Sequence, residues 1–187
     1  MFKKTSRKRI HYQKASSSAR NFKIQKEIKK ETHEKEGLSC CKINFFLRKI
    51  PHFYGCFSPD ELDNLLISSL PIKLILNLDY SNKAGSHWIA LRIEKSRIEL
   101  FDPLGFRLNK WPSIPLPFLH FLQQISHRRQ LFISRELQPS KSSLCGFYCI
   151  YYFLAREKLS FRNIVNSFSL SLRKNDKILS ALLYKIK

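Results

Sequence analysis

Strands and helices are both legible in this sequence, which predicts a chain of α+β class. Two stretches carry that prediction. From Ile89 to Leu100, apolar residues alternate with others on either side of a Glu94-Lys95-Ser96-Arg97 tip, the pattern of a β-hairpin. From Cys145 to Leu154 the residues are aromatic or aliphatic almost without a break, long enough for a buried helix.

The elements follow in order. Near residue 38 the composition turns globular, and Asn44-Phe45-Phe46-Leu47 reads as a short helix. Pro51-His52-Phe53-Tyr54-Gly55 reads as an aromatic loop. Ser58-Pro59-Asp60-Glu61 starts a helix: Ser caps it, Pro takes the first position and Glu61 closes a capping box. Leu62, Leu65, Leu66 and Leu70 continue it as one apolar stripe, which Pro71 stops. Ile72 to Leu78 is a short, mostly apolar strand, expected to be buried on both faces. In the hairpin, Lys95-Ser96 at the tip sets Glu94 opposite Arg97, Ile93 opposite Ile98, Leu91 opposite Leu100 and Ile89 opposite Asp102. Pro112, Pro115 and Pro117 mark an irregular crossing before a helix over Phe118–His127 and a strand over Gln130–Glu136. Phe161–Phe168 and Asp176–Ile186 read as closing helices with Lys on their outer faces.

The 187 residues carry 34 Lys and Arg against 14 Asp and Glu, a net charge of +20. Charge of that size predicts an acidic polymer as partner and says nothing of fold. Residues 1–36 hold twelve Lys or Arg, four Glu and almost no apolar side chains, so they are expected to be a disordered basic tail before a domain over 37–187. Lys3-Lys4 and Arg7-Lys8-Arg9 read as nuclear-localisation or nucleic-acid-binding clusters, against the plainer reading of a solvated tail. Five cysteines at irregular spacing argue against a disulfide framework and for a reducing compartment. The basic N-terminus lacks the apolar core of a secretory signal, and no apolar run is long enough to cross a bilayer. An intracellular protein without membrane contact is expected.

Most unpaired cysteines are small buried hydrophobes, and Cys149 is read as one, facing the core beside Tyr152 and Phe153. Cys145 is different. With Ser142 or Ser143 capping the helix, it falls among the unpaired N–H groups of a helix start, where the dipole favours thiolate over thiol. Gly146 would let another backbone or a substrate approach the sulfur. The hairpin register puts His87 diagonally across from Asp102, within reach of an imidazole–carboxylate hydrogen bond. A thiolate, an imidazole, a carboxylate and a nearby amide are the parts of a cysteine protease. Cys145 would attack a carbonyl, His87 would move the proton and Asp102 would hold the ring. The Gln138 amide, with the Cys145 backbone N–H, would bind the oxyanion. His52, Cys56, Cys40 and Cys41 fit no standard zinc spacing, so no metal is expected. His120 and His127 are read as surface residues, and Trp88 as packing beside the site.

The blocks Gly85-x-His87-Trp88, Phe101-Asp102-Pro103-Leu104-Gly105-Phe106 and Gln138-Pro139 followed by Cys145-Gly146 stand in a telling order. With Phe57-Ser58-Pro59 before them, they resemble the adenain-like cysteine proteases of adenoviruses, adintoviruses and Polinton-type elements, over roughly residues 44–155. The resemblance implies an α+β fold of the adenain/SUMO-protease clan, with a central mixed or antiparallel sheet and the Cys145 helix packed on it. It implies catalysis by His87, Asp102, Gln138 and Cys145, and cleavage of capsid and core precursors during virion maturation. Bonds near small residues, often Gly, would be preferred. No cofactor would be required, double-stranded DNA would bind non-specifically as an activating polyanion, and a monomer would act in the host nucleus and the virion. Two features depart from the family. Adenovirus enzymes carry Glu where this chain has Asp102, and SUMO-deconjugating relatives place an acid where this chain has Leu144. The alternatives are a SUMO or ubiquitin-like-protein deconjugase, and a basic DNA-binding protein with a vestigial site.

Overall fold

The computed structural model describes residues 37–65, 67, 69–106 and 114–185. The basic segment 1–36, Leu66, Pro112 and Ile186 lie outside the described residues, and so does what the sequence leads one to expect of them. The elements are α1 (Cys40–Leu47), β1 (Phe53–Phe57), a 3₁₀ helix (Pro59–Asn64), β2 (Ile72–Asn77), β3 (Trp88–Ile93) and β4 (Arg97–Phe101). Then come α2 (Leu116–Ser126), β5 (Gln130–Ile133), α3 (Cys145–Arg156), α4 (Phe161–Asn166), a short 3₁₀ turn (Leu172–Lys174) and α5 (Asn175–Lys185).

Five strands form one sheet in chain order. The three central strands are antiparallel, and β1 and β5 flank them as parallel edges. Every residue of β2 is buried, as its apolar run requires of a strand covered on both faces. The hairpin register is the one the alternation dictates: Ile93 faces Ile98 and Leu91 faces Leu100. At the tip, Glu94 N–H donates to the Arg97 carbonyl at 2.9 Å. The paired ladder ends at Ala90–Phe101, one step short of Ile89 and Asp102, so His87 and Asp102 lie just past its end.

Each face of the sheet has its own core. Ile75, Ala90 and Phe101 meet α3, backed by α1, α4 and α5. Leu74, Leu76, Ile89, Leu91 and Leu100 meet Phe118, Phe121, Leu122 and Ile125 of α2. Burying each such large side chain contributes about 1.5–3 kcal/mol. Phe101 stacks on Tyr152 of α3, ring centroids 4.7 Å apart, which adds about 0.5–1.5 kcal/mol and fixes α3 over the hairpin.

Two expectations fail. The aromatic loop at 51–55 ends in strand, because β1 pairs in parallel with β2 through a register shift between Phe53 and Gly55. That pairing is made with residues about twenty positions away, and no local alternation announces it. The helix begun at Ser58 is six residues of 3₁₀. Glu61 does accept the Ser58 N–H at 2.6 Å, as a capping box should. By Leu65 the backbone is extended, and Leu62, Leu65 and Leu70 all pack in the same core. The class stands as expected: α+β, a mixed sheet, and the Cys145 helix packed on it.

Candidate active site

Cys145 is the first residue of α3, and it is 7% exposed at the wall of a cleft of about 560 Å³. Neither Ser142 nor Ser143 takes the cap position. Leu144 does, and no side chain caps the helix. The Ser142 hydroxyl accepts from the Leu144 N–H at 3.2 Å, one residue too early to serve the first turn. The Phe147 and Tyr148 N–H groups bond the Leu144 carbonyl, so those of Cys145 and Gly146 are the ones without a helical partner and can serve an anion. Gly146 does allow a close approach, but of Leu38 and Trp88 side chains instead of a substrate: a Cβ there would lie 3.1 Å from Leu38 Cβ and 3.3 Å from Trp88 Cδ1. Trp88 thus packs beside the site as expected, its indole N–H donating to the Leu38 carbonyl at 2.8 Å. Cys149, one turn on, is fully buried, and its thiol donates to the Trp88 carbonyl at 3.3 Å.

His87 and Asp102 meet as the hairpin register predicts. Nε2 of His87 lies 2.7 Å from Asp102 Oδ1, and both residues are buried. The Cys145 thiol hydrogen-bonds the same ring, which leaves Nδ1 as the nitrogen that serves it. Burial opposes charge on this imidazole, but the Asp102 carboxylate and Cys145 together outweigh it and raise its pKa to about 9. His87 consequently holds its proton through neutral pH.

Backbone anchors set these side chains. Asn77, at the end of β2, is buried, and its Oδ1 accepts from Asp79 N–H at 2.9 Å and Ser86 N–H at 3.4 Å. It thereby pins both ends of the loop that delivers His87. Gly85 in that loop has φ +88°, and a Cβ would lie 2.4 Å from the Asn77 amide nitrogen. Asp102 is held by Ser134, whose hydroxyl accepts from the Asp102 N–H and donates to its carbonyl, each at 2.8 Å. Next to it, the Pro103 carbonyl accepts N–H from both Leu137 and Gln138 at 2.8 Å. The loop carrying Gln138 is so fastened to the turn carrying Asp102.

Gln138 is 1% exposed and lines the same cleft as Cys145 and His87. One hydrogen of its amide goes to the Ser142 carbonyl at 2.6 Å, and a second remains on the same nitrogen. All four residues picked out in the sequence therefore border one cleft or its buried edge. Ser134, Asn77 and Asn175 were missed. Asn77 and Ser134 are polar side chains within or beside an apolar run, the one signal that could have flagged them, whereas Asn175 stands among charged residues and carries no such signal. No group of three His, Cys, Asp or Glu side chains among the described residues could hold a metal ion. His120 and His127 are exposed on and just after α2. No helix of the described residues is long and apolar enough to cross a membrane.

No protein-family model and no curated protein matches the sequence. Solved structures match the fold. The central domain of the uncharacterized Lpg1148 protein from Legionella pneumophila aligns at 10% identity and a TM-score of 0.47, over 80% of this chain and 99% of that one. The crystal structure of the ASFV pS273R protease aligns at 15% identity and a TM-score of 0.55, over 81% of this chain and 68% of that one. At such identity the likeness is one of architecture, and the α+β fold of this chain is the fold of that viral protease.

Proposed function

We propose that this chain is a cysteine endopeptidase that cleaves capsid and core precursor proteins during virion maturation. One observation carries the reading: Cys145, His87 and Asp102 form a hydrogen-bonded row at a cleft able to take a peptide. The imidazole beside the sulfur carries the proton that the leaving amine will need. The sulfur attacks the scissile carbonyl and forms the S–C bond. The oxyanion lies against the Cys145 N–H and the free hydrogen of the Gln138 amide. His87 Nδ1 gives its proton to the leaving amine as the C–N bond breaks. Water then attacks the thioester, His87 takes the proton of that water, and the acid leaves with Cys145 restored. Asp102 keeps the ring in place through both steps by accepting from Nε2.

The substrate class follows from the resemblance to adenain-like proteases, and the likeness of fold to the ASFV pS273R protease supports proteolysis in general. A net charge of +20, of which +12 falls on residues 37–187, supports non-specific binding to double-stranded DNA. DNA would then stimulate cleavage by confining enzyme and precursor to one polymer, in the host nucleus and the virion.

The test incubates the full chain with candidate capsid precursors and with SUMO fusions, with and without DNA, across a salt titration. Precursor cleavage that rises with DNA, falls with salt and disappears in Cys145→Ala is the expected result. Cleavage of SUMO fusions alone would point to a deconjugase. DNA binding with no cleavage of either would point to a binding protein with a vestigial site.

A further inference from the structure

The C-terminal helix reaches back to the loop that carries Gln138. Asn175, its first residue, is fully buried. Asn175 Nδ2 donates to the Leu137 carbonyl at 2.8 Å and to the Ser169 carbonyl at 3.0 Å, while its Oδ1 accepts the Ser169 N–H at 2.8 Å. Asp176, the second residue, accepts at Oδ1 from the Ser142 hydroxyl at 3.2 Å and the Tyr148 hydroxyl at 3.0 Å. Leu137 immediately precedes Gln138, and Ser142 is the residue whose carbonyl takes the Gln138 amide hydrogen at 2.6 Å. Tyr148 lies on the first turn of α3, above Cys145. Two adjacent residues of α5 thus hold both ends of the loop and the helix start that it faces.

We propose that Asn175 and Asp176 are positioning residues for acyl transfer: they fix the Gln138 amide against the N–H groups at the start of α3, so that both donors converge on one oxyanion. The inference rests on the endopeptidase reading above. Without α5 the loop would keep its tie at the Pro103 carbonyl and its internal bonds, Ser142 N–H to the Pro139 carbonyl at 2.9 Å and the Gln138 amide to the Ser142 carbonyl. It would lose the bonds from Asn175 and Asp176 that fix the Leu137 carbonyl and the Ser142 hydroxyl from outside. An oxyanion donor works only at hydrogen-bond distance from where the charge develops, so a small swing forfeits much of its effect.

Two reactions of the same sulfur separate this role from general damage. Peptide cleavage passes through an oxyanion. Alkylation by iodoacetamide displaces iodide at a saturated carbon, makes no oxyanion and so does not use the oxyanion donors. The experiment compares the full-length wild type with Asn175→Ala, Asp176→Ala and Asp176→Asn. It measures kcat and KM on a cleavable peptide, inhibition by the matching peptide aldehyde, and the rate of alkylation at Cys145. For Asn175→Ala and Asp176→Ala, kcat should fall about 10- to 100-fold with KM within about twofold, and aldehyde affinity should fall by the same factor. Alkylation should stay within about twofold of wild type. Asp176→Asn keeps the accepting oxygen and should retain most of kcat. Should Asn175→Ala fold poorly, the partly exposed Asp176 supplies the same comparison. An active wild type whose kcat is unmoved by these variants overturns the proposal, and so do kcat and alkylation falling together. A wild type that is alkylated at Cys145 yet cleaves no peptide overturns the endopeptidase reading and the proposal with it.

Discussion

Asp102 grips His87 through one oxygen. Oδ1 accepts from the His87 ring at 2.7 Å and from the Leu104 N–H at 2.8 Å, while Oδ2 is buried with no hydrogen-bond partner among the described residues. Asparagine suits that arrangement, because its oxygen can accept both bonds and its nitrogen replaces the unpartnered atom. Asp102→Asn should therefore fold normally and lower kcat by about 10- to 100-fold, short of the 10²–10⁴ that loss of acid–base catalysis removes. Cys145→Ala should abolish cleavage. Steady-state rates and circular dichroism check this, and an Asp102→Asn variant as dead as Cys145→Ala would contradict it.

The same contact sets the pH profile. His87 has its pKa raised to about 9, Asp102 and Cys145 prevailing over burial, and the leaving amine needs the proton it holds. As pH rises through about 9 that proton is lost, so kcat/KM should fall there. Asp102→Asn removes one of the interactions that raise the value, which should move the falling limb to lower pH. A limb that stayed in place would show that another group holds the proton.

Gln138→Ala should lower kcat by about 10²–10³ and leave KM nearly unchanged, because its amide acts on the oxyanion and not on the ground state. Near-wild-type turnover would place the oxyanion elsewhere.

The hairpin and its His–Asp pair were legible because they depend on local alternation: once Ile93 faces Ile98, the rest of the register follows. The Cys145 helix was legible for the same reason, its burial being plain in an unbroken apolar run. What escaped depends on partners remote in sequence. β1 pairs with β2, Ser134 holds a backbone thirty-two residues away, and Asn175 reaches the Leu137 carbonyl across thirty-eight. The missed cap is a subtler case. Ser142 has the right chemistry, but its hydroxyl is already shared between the Leu144 N–H and Asp176.

Glu99 and Arg156 offer a separation of stability from activity. Glu99 is fully buried in β4 and accepts from Arg156 at 2.8 and 2.9 Å and from the Tyr152 hydroxyl at 2.7 Å. Arg156→Ala would leave that carboxylate with the Tyr152 hydroxyl and a longer contact to Arg97 at 3.4 Å, and should destabilise the fold by about 1–3 kcal/mol. Arg156 ends the helix that Cys145 begins, roughly 16 Å along its axis, so kcat of the folded protein should not change. Urea unfolding and turnover at low temperature read the two effects apart, and a fall in kcat without loss of stability would contradict this division.

The central claim is that Cys145 is the nucleophile. Exposure and chemistry make opposite predictions for it, since Cys41 is exposed and Cys145 is 7% exposed. Limited iodoacetamide treatment of the full chain, with peptide mapping and residual activity followed over time, sets the two against each other. We predict that Cys145 is modified first, that activity is lost in step, and that His87→Ala removes the preference. Modification that begins at Cys41, Cys40 or Cys56, with Cys145 untouched as activity disappears, would contradict the account.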